Sequence, residues 1–417
     1  MFKTHWFLKL LLVSLILTPG FTTVGRDESR SASHSNDFAA GKHTSLGLSV
    51  NSNGILMKDG APYKGIGVNY YDAFYRTLQN PDDVSYREGL QNLADNNIPF
   101  ARFNAGGYWP SNFKLYLQDK DAYFHFLDGV VKAAEDTGVG LVPCLFFTTF
   151  TVPDLVGEPR NQWGNRKSKT REFMRTYTRE IVSRYVNSPA IWGWEFGNEF
   201  PLALDYPEPT GHLPPVAPGL GTPSGRTARD NLTFSMFNDA IMEFATIVRS
   251  IDPVRILITG NSIPRRTAYH NYKEHSSARD TIQQFAAILL RDNPNPFNVI
   301  CVHIYPSDSS RYFAEREVDF QELIQTCATI ARDAKKPLYL EEFGNRTRQK
   351  GAEDPSEDAR DFRDTLAALE ASGTPLASIW VYDQKGTSPK NITFENERSF
   401  MLKAIAAANR KFQGRLQ

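Results

Sequence analysis

The chain has 417 residues, and its 47 Lys and Arg residues balance its 47 Asp and Glu residues, giving zero formal charge and a pI of about 7.1. This balance argues against a basic nucleic-acid groove or a polyanionic tail, although it is compatible with a local charged patch. Only three cysteines are present and none forms a CxxC pair, so we expect buried thiols rather than a disulfide framework or a zinc site.

The first 25 residues are typical of a secretory signal peptide. A basic start at Lys3 precedes a short apolar run that ends at Leu17, before the break Thr18-Pro19-Gly20. The apolar run is shorter than the roughly 20 residues that cross a membrane, and an uncleaved anchor is the alternative interpretation. Residues 26–45 are rich in Ser, His, Asp and Gly and are predicted to form a flexible linker. We therefore expect a secreted protein, or one in the periplasm or at the cell surface.

Beyond the linker, short apolar runs alternate with helical stretches. Residues Leu56–Tyr63 predict a small β-hairpin that closes one end of a domain. Eight further runs are bounded by Gly, Pro, Asn or Asp, which is typical of strands that are buried on both faces. These predicted strands are Gly65–Tyr70, Pro99–Asn104, Gly140–Phe147, Ile191–Asn198, Arg255–Gly260, Asn298–Tyr305, Pro337–Phe343 and Ser378–Asp383.

Apolar residues recur with a helical period between these runs, as in Tyr123, Leu127 and Val130. Eight strands, each followed by a helix, predict a single (β/α)8 TIM barrel with a short N-terminal β-hairpin. We place this domain at residues 46–410 and a C-terminal tail at residues 411–417. The alternative is a doubly wound open sheet, but the first strand lacks the third glycine of a phosphate-binding loop.

The connections that follow the strands are unequal in length. The segment 200–226, after the fourth strand, contains seven prolines, and the neighbouring loops carry Tyr108, Trp109 and Trp163. In a barrel these loops gather at the C-terminal face, where chemistry takes place. They therefore predict a substrate cleft, with Trp109 and Trp163 as candidate platforms for stacking sugars. The alternative interpretation is that these are ordinary surface loops, in which the prolines only limit disorder.

Two predicted strands end in glutamate. Glu199 closes the fourth strand region and Glu342 closes the seventh, so their carboxylates should face each other across the barrel mouth. A charge at the end of a buried strand is costly unless it is paired or used. Two carboxyl groups about 5–5.5 Å apart are what retaining glycoside hydrolysis requires. Their close charges should also split their pKa values into a proton donor and a nucleophile.

These segments resemble glycoside hydrolase family 5, in clan A of the retaining β-glycosidases. The pair Asn198-Glu199 matches the acid/base motif, and Glu342, before an aromatic residue and a glycine, matches the nucleophile. The resemblance implies that Glu199 is the acid/base, that Glu342 is the nucleophile and that Asn198 bonds the sugar 2-hydroxyl. It further implies four substrate-site residues at the ends of other strands, namely Arg102, His303, Tyr305 and Trp380.

The sequence departs from the family pattern at one position, and it has two further glutamates, Glu341 and Glu195, close in sequence to the candidate catalytic pair. Many family members carry a histidine near the end of the third strand, where this chain has Phe146-Phe147-Thr148-Thr149-Phe150. Strand alternation predicts that Glu341 points away from Glu342 and serves as a structural ion-pair partner. Glu195 is expected to form a structural hydrogen bond. Asn69 and Tyr70 could line the sugar site or belong to the core.

Together these features predict a secreted, retaining β-glycoside hydrolase that uses no metal and no cofactor. We expect a monomer that binds a polysaccharide or oligosaccharide, with no nucleic-acid partner and no stable membrane partner after signal cleavage. Family similarity favours β-1,4-mannan slightly over β-glucan, as in endo-β-1,4-mannanases and cellulases. The alternatives are an exo-acting β-glycosidase, a carbohydrate-binding pseudoenzyme and a structural protein of the cell surface.

Overall fold

The computed structural model describes residues 46–208, 212–306, 312–344, 355–385 and 390–414. The predicted signal peptide (1–25) and linker (26–45) lie outside these residues. Within the described ranges, no helix combines the length and the apolar character that crossing a membrane requires.

Eleven strands in the described residues form two sheets. Strands β1, β2 and β3 make a small antiparallel sheet, and β4 to β11 make a parallel sheet in the spatial order β8-β7-β6-β5-β4-β11-β10-β9. Their bounds are β1 Leu48–Val50, β2 Leu56–Lys58, β3 Ala61–Pro62, β4 Gly65–Asn69, β5 Phe100–Asn104, β6 Gly140–Phe146, β7 Gly193–Gly197, β8 Ile256–Ile258, β9 Ile300–His303, β10 Leu338–Phe343 and β11 Leu376–Ile379.

The parallel sheet curls into a barrel. Asn298, just before β9, donates its backbone N–H to the carbonyl of Leu257 in β8 at 3.2 Å, and its side chain accepts the Leu257 N–H at 2.8 Å. These two bonds join the outer strands of the sheet. The (β/α)8 TIM barrel is therefore confirmed, and the open doubly wound sheet is wrong.

Twelve α-helices in the described residues surround or connect these strands. They are α1 Tyr75–Gln79, α2 Tyr86–Asp95, α3 Lys114–Gln118, α4 Lys120–Thr137, α5 Thr151–Leu155, α6 Lys169–Tyr185, α7 Phe234–Ile251, α8 Ala268–Glu274, α9 Ile282–Asp292, α10 Phe320–Asp333, α11 Pro355–Ser372 and α12 Ser399–Gly414. Several start at a side-chain cap, as where Asp119 accepts the Ala122 N–H and begins α4. The predicted apolar face of α4 is buried at Tyr123, Leu127 and Val130.

Alternate residues of the strands pack into two apolar cores. Leu340 of β10 packs with the helices, whereas its neighbour Tyr339 joins the smaller core inside the barrel. Leu48 and Leu56 of the small sheet enter that inner core. The hairpin therefore closes the N-terminal end of the barrel, as predicted, and leaves the C-terminal end open for the loops.

Two element boundaries differ from the sequence prediction. Strand β11 covers Leu376–Ile379, so Trp380 follows the strand instead of lying inside it, and the Trp380–Val381 peptide is cis. Helix α12 continues to Gly414, past the predicted boundary at residue 410, because Phe412 is buried against the core. The three cysteines are buried and unpaired, as expected.

Candidate active site

Glu199 and Glu342 lie at the C-terminal mouth of the barrel. Glu342 is part of β10, and Glu199 follows β7 by two residues. Glu199 has a positive φ of 54°, a conformation that residues other than glycine seldom adopt. Its backbone N–H donates to the carbonyl of Gly260 at 2.8 Å, which fixes this turn against the end of β8. Unusual backbone geometry of this kind concentrates at functional sites.

Arg102, at the centre of the site, is buried and hydrogen-bonded on every side. It donates from Nη1 to Glu342 Oε1 at 3.0 Å and from Nη2 to Asn198 Oδ1 at 2.7 Å. A bidentate pair with Glu195, at 2.7 and 2.9 Å, anchors the other edge of the guanidinium. Asn69 accepts a further bond at 3.0 Å, so this residue orients Arg102 from β4. The predicted contact between Arg102 and Glu342 and the structural bond of Glu195 are both present.

His303 lies between two carboxylates. Its Nδ1 is 2.9 Å from Glu199 Oε1, and its Nε2 is 3.1 Å from Glu341 Oε2. Burial alone would lower the pKa of His303, but the carboxylates of Glu342, Glu199 and Glu341 outweigh it and raise this pKa to about 10. The surrounding carboxylates therefore favour the protonated form of the His303 ring.

Tyr305 and Trp380 complete the set of predicted residues. Tyr305 donates its hydroxyl to Glu342 Oε2 at 3.0 Å, so Glu342 receives one bond from Arg102 and one from Tyr305. Trp380 is half-buried, with its ring centroid 5.8 Å from that of Tyr71 and its backbone N–H bonded to the carbonyl of Phe343. Six of the seven predicted residues thus form one hydrogen-bonded network, and Trp380 flanks it.

The two candidate catalytic carboxylates differ in pKa, but not in the expected order. Burial and the charge of Glu199 raise the pKa of Glu342 above its ordinary value, against the lowering influence of His303 and Arg102. Burial also acts to raise the pKa of Glu199, but the hydrogen bond and charge of His303 outweigh it and the pKa is lowered. The raised pKa of Glu342 and the lowered pKa of Glu199 are the reverse of the order that the acid/base and nucleophile roles require.

The predicted direction of Glu341 is wrong. Glu341 lies 3.4 Å from Arg102 and 3.1 Å from His303, the same two cations that Glu342 contacts at 3.0 and 3.6 Å. The pairing of β10 with β9 shifts register between Leu340 and Glu342. This bulge breaks the alternation of side chains, so both glutamates turn inward. The ion-pair part of the prediction for Glu341 is confirmed.

Several aromatic residues have roles other than those expected. Trp163 is fully buried, donates its indole N–H to the Thr149 carbonyl at 2.8 Å and packs on Phe196, so it cannot be a sugar platform. Trp109 is half-buried beside Tyr108, and its role as a sugar platform stays a prediction. Tyr70 is buried in the core, and its hydroxyl donates to the partly exposed Asp383 and not to a residue of the site.

At the end of the third barrel strand, where many family members carry a histidine, this chain has aromatic residues that include Phe147. Phe147 places its ring 5.9 Å from the Arg102 guanidinium and 4.9 Å from the ring of Tyr71. Ser262, which sequence reasoning missed, lies beyond β8 and contributes a hydrogen bond that lowers the pKa of Glu199. The polar run Asn261-Ser262 directly after a buried strand was the available signal for it.

A cavity of about 440 Å³ opens on the Glu199 side of the site. Its lining includes Glu199, Leu202, Ser262, Ile263, Arg265 and Tyr312. This volume lies within the range of about 300–1,000 Å³ that is typical of small-molecule sites.

In the described part of the chain, one group of side chains has donor atoms close enough together to bind a metal ion. Glu199, His303 and Glu342 each offer a donor atom, and these atoms lie within 4.8 Å of one another. Both ring nitrogens of His303 already face carboxylates at hydrogen-bond distance, which suits N–H donation rather than metal coordination. We therefore assign this group to proton sharing and not to a metal.

The chain is similar in sequence and in fold to known proteins. A family model described as cellulase, glycosyl hydrolase family 5, matches residues 87–386. Two relatives are both named mannan endo-1,4-β-mannosidase. The protein from Podospora anserina is 34% identical over 228 residues, 52% of this chain and 50% of the relative. The protein from Aspergillus clavatus is 24% identical over 277 residues, 64% of this chain and 53% of the relative.

The chain spans about half the length of each of these relatives. Among solved structures, the endo-1,4-β-mannanase from Rhizomucor miehei has a similar fold, with a TM-score of 0.61 and 16% identity. That match covers 88% of this chain and 99% of the other.

Proposed function

The chain belongs to glycosyl hydrolase family 5, and from that premise we propose that it is a retaining hydrolase of β-1,4-linked polysaccharide. Glu199 is the acid/base and Glu342 is the nucleophile. The observation that carries this proposal is the approach of the two carboxylates, whose oxygens come within 4.8 Å at the barrel mouth. Such closeness suits direct attack, because inverting enzymes need about 6.5–9.5 Å between the carboxyl groups to admit a water.

The first step forms a covalent intermediate. Glu342 attacks the anomeric carbon while the bond to the leaving oxygen breaks, and Glu199 gives its proton to that oxygen. In the second step Glu199 removes a proton from water, the water oxygen attacks the same carbon, and Glu342 leaves as a carboxylate. Arg102 and Tyr305 hold the two oxygens of Glu342 and so aim it at the sugar.

Asn198 and Trp380 are assigned to sugar binding. The side-chain oxygen of Asn198 accepts a bond from Arg102, which leaves its NH2 group to donate to the sugar 2-hydroxyl. Trp380, half-buried beside the network, provides the floor under the ring. His303 bonds Glu199 and thereby acts on the leaving-group side.

Substrate binding would restore the required proton order. The Glu199 side chain is 34% exposed, whereas that of Glu342 is 9% exposed. A sugar that covers Glu199 removes water from it, and loss of hydration disfavours the charged form of a carboxyl group. The pKa of Glu199 should therefore rise in the complex, so that Glu199 holds the proton when Glu342 attacks.

Mannan is the favoured polymer. Both relatives are named mannan endo-1,4-β-mannosidase, and this agrees with the preference drawn from the sequence segments around Glu199 and Glu342. A second candidate is exo action, because the segment 212–226 after β7 is fastened across neighbouring loops. Arg226 forms a buried bidentate pair with Asp154 of α5, at 2.6 and 2.7 Å.

The test combines a substrate panel with matched variants. The purified chain, Glu199→Ala, Glu342→Ala and the control Glu397→Ala, an exposed glutamate, are incubated with mannan, glucomannan, cellulose, mixed-linkage glucan and xyloglucan. We expect cleavage of mannan, a loss of at least about 1000-fold in kcat for both site variants and no loss for the control. Product sizes distinguish oligosaccharides from monosaccharides.

Two further readouts assign the roles. Early products followed by NMR should keep the β configuration. Added azide should rescue both variants, giving an α-glycosyl azide with Glu342→Ala and a β-glycosyl azide with Glu199→Ala. An inverted product from the parent enzyme, or the same azide anomer from both variants, would refute the roles.

We also propose export, on the basis of the basic and apolar N-terminus. Expression of the full chain should give a mature form that begins near residue 25 outside the cytoplasm. N-terminal sequencing of the product tests this proposal, and retention of residues 1–25 in a membrane fraction would favour the uncleaved anchor.

A further inference from the structure

Three buried side chains form a continuous line of hydrogen bonds behind the candidate acid/base. Glu341 contacts His303, and His303 contacts Glu199, at 3.1 and 2.9 Å. We propose that Glu341 is a positioning residue that keeps His303 as an imidazolium, so that the His303 Nδ1–H donates to Glu199 throughout the reaction. The proposal rests on the role of Glu199 given above.

The chemistry of imidazole supports a cation at this place. Neutral histidine has one N–H and can donate to only one of two carboxylates, whereas the imidazolium donates from both nitrogens. Both ring nitrogens of His303 face a carboxylate oxygen at hydrogen-bond distance. A neutral ring would set a lone pair against a carboxylate, unless that carboxyl group were protonated.

The balance of charges around His303 also favours an imidazolium. Four carboxylates meet there, from Glu195, Glu199, Glu341 and Glu342, and Arg102 is the cation that pairs with three of them, Glu195, Glu341 and Glu342. Buried charges require opposite partners. A second cation at His303 reduces the imbalance, and the raised pKa of Glu195, to about 8 through burial against the lowering influence of Arg102, removes more of it.

Glu341 is suited to hold this cation permanently. It is fully buried, its backbone carbonyl accepts bonds from Asn69 and Ser378, and it is not placed to touch the sugar. The register shift before Glu342 turns it inward. Glu199, in contrast, gains and loses a proton in every catalytic cycle. Its attraction for the His303 imidazolium is therefore strong only while Glu199 is ionised. A constant carboxylate on the opposite nitrogen prevents the imidazolium from losing its proton at the same moment.

The titratable and charged groups that face His303 come from several elements. Glu199 after β7, with Glu341 and Glu342 of β10, contacts the ring. Arg102 of β5 pairs with Glu195 of β7 and with Glu341 and Glu342. Arg265, Arg266 and Tyr305 line the same cavity as His303, and Cys301 of β9 and Tyr339 of β10 lie near Glu341. Among these, Glu341 is the fixed carboxylate that bonds the Nε2 side of the ring.

Nitrogen NMR of the native protein tests the proposal without any substrate. With ¹⁵N-labelled histidine, the signal absent from the His303→Asn variant identifies His303. We expect both of its nitrogens to be protonated at about pH 8, well above the ordinary histidine pKa of about 6.5. A neutral ring at that pH overturns the proposal, whether or not any polymer is cleaved, so its failure is distinct from failure of the proposed function.

The matched variant is Glu341→Gln, which keeps the size and an acceptor oxygen but removes the charge. We expect the alkaline limb of kcat/KM to move to lower pH by at least about one pH unit, because an opposite charge at this distance is lost. The control is Asp252→Asn, a buried ion-paired carboxylate before β8 at the far end of the barrel. An equal loss of activity at all pH values, or an equal shift in the control, would show a merely structural role. If Glu341→Gln does not fold, the NMR result on the parent decides alone.

Discussion

At the scale of single residues, the site is organised around two buried cations and four carboxylates. Arg102 bonds the candidate nucleophile, and His303 bonds the candidate acid/base. Each cation also has a second carboxylate with no proposed covalent role, Glu195 for Arg102 and Glu341 for His303. The catalytic pair is thus held by groups that are themselves fixed, which is how a precise geometry is maintained.

The pKa of Glu342 leads to a prediction for the acid limb of activity. Glu342 must be ionised to attack, and its pKa is raised above the ordinary value, so kcat/KM should fall with decreasing pH through a midpoint above about 4.5. The hydroxyl of Tyr305 lowers this pKa by donating to Glu342. Tyr305→Phe should therefore move the acid midpoint to higher pH, as measured by pH profiles of kcat/KM. A midpoint that moves to lower pH would contradict this assignment of Glu342.

At the scale of elements, the ends of neighbouring strands fix the position of Glu199. The turn after β7 is bonded to Gly260, just beyond β8, through the Glu199 N–H. Gly260 has a positive φ of 76°, and a Cβ there would lie 1.6 Å from the carbonyl oxygen of Gly197. The two strand ends can approach this closely only because residue 260 is glycine.

Gly260→Ala should therefore damage both stability and activity. The new methyl group would push apart the segments that carry Glu199, so we expect a loss of more than about 1 kcal/mol in the free energy of unfolding, together with reduced kcat. Gly138→Ala is the matched control, because Gly138 has φ 73° but nothing within 4 Å of its added Cβ. Urea unfolding and kcat should separate the two variants. Equal effects would mean that backbone conformation, and not the close approach, is decisive.

The segment after β7 gives a second prediction at this scale. Arg226 and Asp154 are both buried, and loss of one partner from such a pair costs about 3–5 kcal/mol. Arg226→Ala should free the segment 212–226, so limited proteolysis should cut it more than about 10-fold faster than in the parent. If the segment blocks one end of the cleft, longer oligosaccharides should also appear among the products.

The control for this prediction is Arg316→Ala, which breaks an exposed pair with Glu322 and should have little effect. Unchanged proteolysis in Arg226→Ala would show that other contacts hold the segment. Unchanged products with faster proteolysis would separate the fastening of the segment from any role in closing the cleft.

At the scale of the whole molecule, the buried cluster couples folding to pH. The folded-state pKa of His303 is raised to about 10, and that of Glu195 to about 8. Groups with raised pKa contribute stability below their unfolded-state pKa and lose it as pH rises through the folded value. The pKa values of Glu199 and Glu341 are lowered in the folded state. These two groups therefore contribute stability above their unfolded-state pKa, and this stability is lost only as the pH falls into the acid range.

We therefore expect the melting temperature to be highest in mildly acidic solution and to fall between about pH 6 and pH 10. Thermal unfolding at about pH 6, 8 and 10 measures this trend. Glu195→Gln should flatten the slope between about pH 6 and 8, because it removes one of the two titrations. A melting temperature that rises over this range would show that the cluster does not keep its extra protons in the folded state.

Much of the architecture could be read from the sequence because its signals are local. Buried parallel strands read as short apolar runs, and the count of these runs gave the barrel, apart from small boundary errors such as that of β11. The glutamates that end the fourth and seventh barrel strands are local signals too. The barrel topology then brings strand ends to one face, so the residues gathered around Glu199 and Glu342 followed from their positions along the chain.

Only the tertiary structure decided the direction of Glu341, the burial of Trp163 and the order of the two carboxyl pKa values. A bulge in β10 reverses the side-chain alternation that a sequence pattern assumes. The pKa values depend on distances between residues that lie far apart in the chain, such as the 2.9 Å between His303 and Glu199. A sequence thus determines which side chains become buried at a strand end, whereas folding alone sets the distances through which their charges act.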